Sequence, residues 1–132
     1  MPSATSHLLV VDDELALRQA LSEVLTAGGY RVRLAEDGIS ALSEMERQLP
    51  ELIVSDLNMP GMSGFEFLAI VRERFPAIPV VAMSAAFSGN NVPSGVAADA
   101  FYAKTSGISG MLQVIHTMTT KSWTSGRASI DN

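Results

Sequence analysis

The sequence predicts an α/β protein: a doubly wound parallel sheet with helices on both faces. Two observations carry this. Short continuous apolar runs, the kind buried on both faces of a sheet, end abruptly at polar residues. Between them lie longer stretches whose apolar residues recur at helical spacing, so strand and helix alternate along the chain. Size and composition allow such a core. The chain has 132 residues, 47% hydrophobic and 17% charged, which fits one domain and excludes a disordered, highly charged chain.

Residues 1–6 (MPSATS) are small and polar and read as a flexible terminus. His7 to Val11 is the first strand. Leu17, Leu21, Val24 and Leu25 form the stripe of a first helix that stops at Gly28-Gly29. Tyr30 to Ala35 alternates, as in a more exposed strand near an edge. Asp37 caps a second helix carrying Ala41, Leu42 and Met45 and ending near Pro50. Leu52-Ile53-Val54 is the third strand and ends at Ser55-Asp56. Phe65, Leu68, Val71 and Phe75 form a third helical stripe, stopped by Pro76. Ile78 to Met83 is the fourth strand and ends at Ser84. Ala100 to Ala103 is the fifth, and Met111, Leu112, Ile115 and Met118 mark the last helix. Plain core packing accounts for all these stripes.

Several function classes drop out. There are no cysteines, hence no disulfide framework and no thiolate metal site. The net charge of −5 argues against direct nucleic-acid binding, which uses basic surfaces. The early run Leu8–Val11 is too short for a signal-peptide core or a membrane span, so a cytoplasmic location is expected. Charge is uneven: residues 1–66 hold 11 acidic and 4 basic side chains, residues 67–132 hold 3 and 5. Such a split suits either a solvated face or a cation site.

In parallel sheets, ligands sit outside the carboxyl ends of the strands. Those ends carry Asp12-Asp13, Asp56, Ser84 and Lys104. Clustered carboxylates raise one another's proton affinity, and a hard divalent cation such as Mg²⁺ offsets that with oxygen ligands. No His or Cys stands among them, which disfavours a transition metal. With Lys104 as a second cation, the simplest ligand is a phosphoryl group and the simplest nucleophile a carboxylate. Each residue also has a bland reading. Asp12 and Asp13 could cap the following helix, Ser84 could be a loop serine, and Lys104 a solvated charge. His7 and His116 read as structural or solvent-facing.

At these residues the sequence resembles the receiver domain of two-component response regulators. The resemblance rests on Val10-Val11-Asp12-Asp13-Glu14, on Ser55-Asp56-Leu57-Asn58-Met59-Pro60-Gly61-Met62-Ser63-Gly64, on Met83-Ser84-Ala85, and on Ala98-Asp99-Ala100-Phe101-Tyr102-Ala103-Lys104. It covers residues 7–120 and leaves 121–132 as a polar tail. It implies a flavodoxin-like fold with strand order 2-1-3-4-5. It also implies that Asp56 accepts a phosphoryl group from a phosphohistidine on a histidine kinase or phosphotransfer protein. Asp13, Asp56 and the Asn58 carbonyl would ligate Mg²⁺, with Asp12 acting through a bound water. Lys104, Ser84 and the Ala85 N–H would hold the phosphoryl oxygens. Ser84 and Phe101 would form the switch, with Tyr102 on the opposite face. The implied activity is self-catalysed phosphoryl transfer and hydrolysis, short of a conventional enzyme. A downstream protein is the implied target, and the expected state is a monomer or a weak phosphorylation-dependent dimer.

Two features depart from the family pattern. Thr105 follows Lys104 where proline is usual. The segment Phe87 to Ala98 carries Gly89, Pro93 and Gly95 and no charge, so the fourth helix is expected to be short or irregular. That helix, the fifth strand and the last helix would form the output surface. The alternative function is a pseudo-receiver that binds partners without phosphorylation. An aspartyl-phosphate phosphatase of the haloacid-dehalogenase type fits poorly, because the acceptor would follow the first strand. On the receiver reading, the uneven charge reflects a magnesium pocket built from the first three strands and closed by Lys104.

Overall fold

A computed structural model describes residues 6–59, 61–62, 64–84, 98–104, 107–108 and 110–119. The strands are β1 (His7–Val11), β2 (Arg31–Ala35), β3 (Leu52–Asp56), β4 (Val80–Ser84) and β5 (Ala100–Ala103). The helices are α1 (Leu15–Ala27), α2 (Gly38–Arg47) and α3 (Gly64–Arg74), followed by a C-terminal helical stretch over residues 110–119. All strand pairs are parallel, in the order β2-β1-β3-β4-β5. The predicted fold class and strand order are those observed.

Side-chain alternation along the buried strands builds two cores. Leu9, Val11, Ile53, Val80 and Ala82 point to one face, where Ala41 and Met45 of α2 and Phe67, Leu68 and Val71 of α3 cover them. Leu8, Val10, Leu52, Val54, Val81 and Met83 point to the other, covered by Leu21 and Leu25 of α1 and by Met111 and Ile115. β1, β3 and β4 are buried along their whole length. The alternating β2 lies at the sheet edge, with Arg31 and Leu34 exposed and Ala35 buried.

Helix ends follow the sequence signals. The Asp37 carboxylate accepts the Ser40 backbone N–H at 2.7 Å and caps α2. α1 stops where Gly28 N–H donates to Val24 O and Leu25 O. Gly29 then takes φ +100°, a conformation other residues adopt only with strain.

Three details differ from the sequence reading. β2 begins at Arg31 and β4 at Val80, so Tyr30, Ile78 and Pro79 lie in the connections. Phe65 is 38% exposed, and Phe67 and Leu68 hold the centre of the buried face of α3. The buried residues Gly64, Phe67, Leu68 and Val71 share one helical face at 3.6 residues per turn, and Phe65 falls on its shoulder. The fourth predicted helix (but for Ala98), Ala85, Thr105 and the tail lie outside the described residues. Among the described residues, no helix is long and apolar enough to cross a membrane.

Candidate functional site

Register brings the expected residues to one edge. Val11 pairs with Ser55, Asp56 with Met83, and Ser84 with Ala103. Asp12, Asp56, Ser84 and Lys104 therefore stand at neighbouring strand ends. Asp12 and Ser84 are fully buried and Asp56 is 2% exposed. Asp13 is exposed.

Lys104 is the electrostatic centre. Its Nζ lies 3.0 Å from Asp56 Oδ2, 3.1 Å from Asp12 Oδ2 and 2.9 Å from Glu14 Oε1. Asp56 Oδ1 accepts the Asn58 backbone N–H at 3.2 Å, so both oxygens of that carboxylate are engaged. Asp12 Oδ1 accepts the Glu14 N–H at 2.8 Å, which turns the chain into α1. That bond reaches the N-cap residue Glu14 itself, and α1 has no side-chain cap hydrogen bond, so the capping role weighed for Asp12 and Asp13 is not what the structure shows; Asp12 makes an Asx turn with one oxygen only. Asp12 Oδ2 is buried and makes no hydrogen bond. Its contact with Lys104 is an ion pair at 3.1 Å. Arg18 Nη1 donates to the Asp12 carbonyl at 2.6 Å and fixes the end of β1 from the helix that follows it.

Burial pushes the Asp12 and Asp56 carboxyls above the ordinary range. Opposing it at Asp56 are the Lys104 and Asn58 hydrogen bonds, while the Asp12 charge reinforces it. For Lys104, burial works against the ammonium, yet its contacts with the carboxylates of Glu14, Asp56 and Asp12 outweigh it and raise its pKa. Glu14 is held below the usual range by its hydrogen bond to Lys104.

The donor set suits a hard cation. Asp12, Asp13 and Asp56 each offer a carboxylate oxygen, all within 4.8 Å of one another. The ligands are all oxygen, as Mg²⁺ requires. Among the described residues, Lys104 and Arg18 are the cations bonded at this edge, against the four carboxylates of Asp12, Asp13, Glu14 and Asp56. Asp12 Oδ2, which has no hydrogen bond beyond its ion pair with Lys104, lies in that cluster.

The remaining predicted residues are close by. Ser84 Oγ accepts the Asn58 side-chain amide at 3.0 Å. Phe101 is half-buried against the core under α2 and α3. Tyr102 packs on the opposite core and donates its hydroxyl to Gly107 O, as its place in the strand predicts.

Sequence reasoning missed three participants. Glu14 reaches a lysine 90 positions away; its only signal was adjacency to the acidic pair. The Asn58 carboxamide faces Ser84, and no spacing rule predicts that contact. A Cβ on Gly64 would stand 2.1 Å from the Asp56 carbonyl oxygen, so the start of α3 packs directly on the backbone of the candidate acceptor.

Comparison with known proteins agrees with this geometry. Residues 8–116 match the family described as response regulator receiver domain. The response regulator protein FleR of Pseudomonas aeruginosa is 41% identical over 80 residues, covering 61% of this chain and 17% of FleR. The chain spans only 17 to 41% of the length of the curated relatives it matches. Among solved structures, the chemotaxis response regulator CheY4 of Vibrio cholerae superposes with a TM-score of 0.80 at 29% identity. That match covers 86% of this chain and 98% of CheY4. The response regulator TrrA of Thermotoga maritima, solved with Mg(2+)-BeF, gives a TM-score of 0.79 at 28% identity, covering 86% and 99%.

Proposed function

The chain belongs to the response regulator receiver domain family, and from that premise we propose that it is the phosphoacceptor of a two-component phosphorelay. The acceptor is Asp56, and the donor is a phosphohistidine on a histidine kinase or histidine phosphotransfer protein. One observation carries the assignment. Asp56 is the buried carboxylate at the end of β3 whose Oδ2 lies 3.0 Å from Lys104 Nζ and which clusters with Asp12 and Asp13.

Asp56 attacks phosphorus as the carboxylate. The new P–O bond forms as the P–N bond to the donor imidazole breaks, and the departing ring nitrogen keeps that electron pair. Burial favours protonated Asp56, whereas its hydrogen bonds from Lys104 and Asn58 favour the charged form, so these two contacts keep the nucleophile competent. Lys104 follows the charge from the carboxylate to the transferred phosphoryl oxygens, acting as a point charge. The Ser84 hydroxyl and the Ala85 N–H complete that shell. Asp13 and Asp56, with the Asn58 carbonyl, would hold Mg²⁺, and Asp12 would reach it through water. When bound, the ion neutralises charge on the phosphoryl oxygens.

Ser84 and Phe101 convert the new charge into a surface change. Ser84 turns toward the phosphoryl group, and Phe101 follows into the space it leaves. The altered surface, around the fourth predicted helix, β5 and the C-terminal helix, meets a downstream protein. The receiver domain spans residues 7–120, and its reaction is self-catalysed transfer and hydrolysis.

Intact mass after incubation with Mg²⁺ and acetyl phosphate tests the assignment. The parent chain should gain one phosphoryl group and Asp56→Asn should not. A gain that survives the substitution, or none in the parent, removes Asp56 as acceptor.

A further inference from the structure

Asn58 touches both the candidate acceptor and the candidate switch. Its backbone N–H donates to Asp56 Oδ1 at 3.2 Å, and its side-chain Nδ2 donates to Ser84 Oγ at 3.0 Å. The base of its loop is fixed, because Leu57 N–H donates to Met83 O at 2.9 Å. Met83 immediately precedes Ser84, so loop and strand end are held side by side. The exposed Asn58 side chain is then the adjustable link to a fully buried hydroxyl.

We propose that Asn58 is a positioning residue, a latch that holds the Ser84 hydroxyl toward the β3 loop until Asp56 is phosphorylated. The inference rests on the phosphoacceptor reading above and adds the element that restrains the switch at rest. While Ser84 accepts from the carboxamide, a neutral hydrogen bond is one of the contacts that hold its hydroxyl. A phosphoryl group on Asp56 offers charged oxygens, and hydrogen bonds to ionised acceptors are the stronger kind. Forming the acyl phosphate also removes the negative charge of the Asp56 carboxyl that accepts the Asn58 backbone N–H, which weakens that bond. Both ends of the latch are thus challenged by one event. Losing one neutral side-chain hydrogen bond shifts a two-state equilibrium by roughly 3- to 10-fold.

The 132-residue chain labelled with 4-fluorophenylalanine provides the readout. Its five Phe residues give separate fluorine signals, and Phe101→Leu assigns the one at the switch. Spectra are taken without metal or phosphate, and with Mg²⁺ and beryllofluoride. Asn58→Ala should raise the fraction of the resting protein with the beryllofluoride-like Phe101 signal about 3- to 10-fold. It should do so only while Ser84 is present, so Asn58→Ala combined with Ser84→Ala should match Ser84→Ala alone. Asn58→Ser, too short to reach Ser84, serves as a second variant and should behave like the alanine. An unmoved Phe101 signal in both Asn58 variants, or an equal shift in the Ser84→Ala background, overturns the latch. The acetyl phosphate mass gain separates the two readings. With the gain present and no Asn58 effect, the latch alone falls; with the gain absent, the phosphoacceptor reading falls and takes the latch with it.

Discussion

Lys104 binds together carboxylates from residues 12, 14 and 56, and its charge is what allows two of them to sit buried. Removing the partner of a buried charge costs more than the pair itself contributes, because the remaining ion is left in a poor solvent. The site therefore depends on one amine, and on a backbone that delivers Asp56 to it at the right depth. Gly64 controls that backbone. A methyl group there would meet the Asp56 carbonyl oxygen at 2.1 Å and the Leu57 Cα at 2.5 Å. Both are main-chain atoms that cannot swing aside. Gly64→Ala should destabilise the protein by about 1–3 kcal/mol, the usual cost of overpacking. It should also slow phosphorylation by acetyl phosphate, since relief requires α3 or the β3 end to move. Urea unfolding and the rate of mass gain check the two effects. Unchanged stability and rate would mean that the close approach is readily relieved.

At the scale of elements, local chemistry decides where each helix begins and ends. α2 starts at a side-chain cap, Asp37 to Ser40 N–H at 2.7 Å, and presents Ala41 and Met45 to the core. Asp37→Ala should lower stability by about 1 kcal/mol, the typical value of an N-cap. Asp37→Ser should recover most of that loss, and unfolding midpoints of the two variants give the test. Equal losses in both would point to the charge of Asp37 rather than its hydrogen bond. This kind of signal is what the sequence displays plainly. Continuous apolar runs identified the inner strands and alternation identified β2 at the edge, and 3.6-residue stripes with Gly and Pro stops identified the helices around them. Asp12, Asp56, Ser84 and Lys104 were legible because a parallel sheet gathers its strand ends. Phe65 was misplaced because a shoulder position satisfies an approximate stripe as well as a central one. Glu14 and the Asn58 carboxamide were illegible as site members for a different reason. Their partners come from distant strands, and only the folded register sets which side chain reaches which.

Across the whole molecule, the end of the sheet remote from Asp56 carries its own titratable group. His7 opens β1 and is 8% exposed. Its Nε2 accepts the Arg33 Nε–H at 2.9 Å, so the ring is neutral there, and its Nδ1 is buried without a hydrogen-bond partner. Arg33 in turn donates to Glu44 Oε1 at 2.7 Å and to Gln48 O, tying β2 to the end of α2. Glu51 Oε1 accepts the His7 backbone N–H at 2.7 Å, tying in the start of β3. Burial, with the charges of Arg33 and Arg31, lowers the His7 pKa below 6.5, and Glu51 opposes them. The unfolded chain then binds more protons than the folded one as pH falls through 6.5. Stability from neutral His7 is complete above that pH and is lost progressively below it. The buried carboxyls of Asp12 and Asp56 have raised pKa values, and at lower pH they act in the opposite sense. A difference between variants isolates the histidine. His7→Gln keeps an acceptor for Arg33 and cannot be protonated. Its stability relative to the parent should rise as pH is taken from about 7.5 to about 5. Urea midpoints at the two values measure this, and a difference that does not change with pH would remove His7 from the acid sensitivity of the fold.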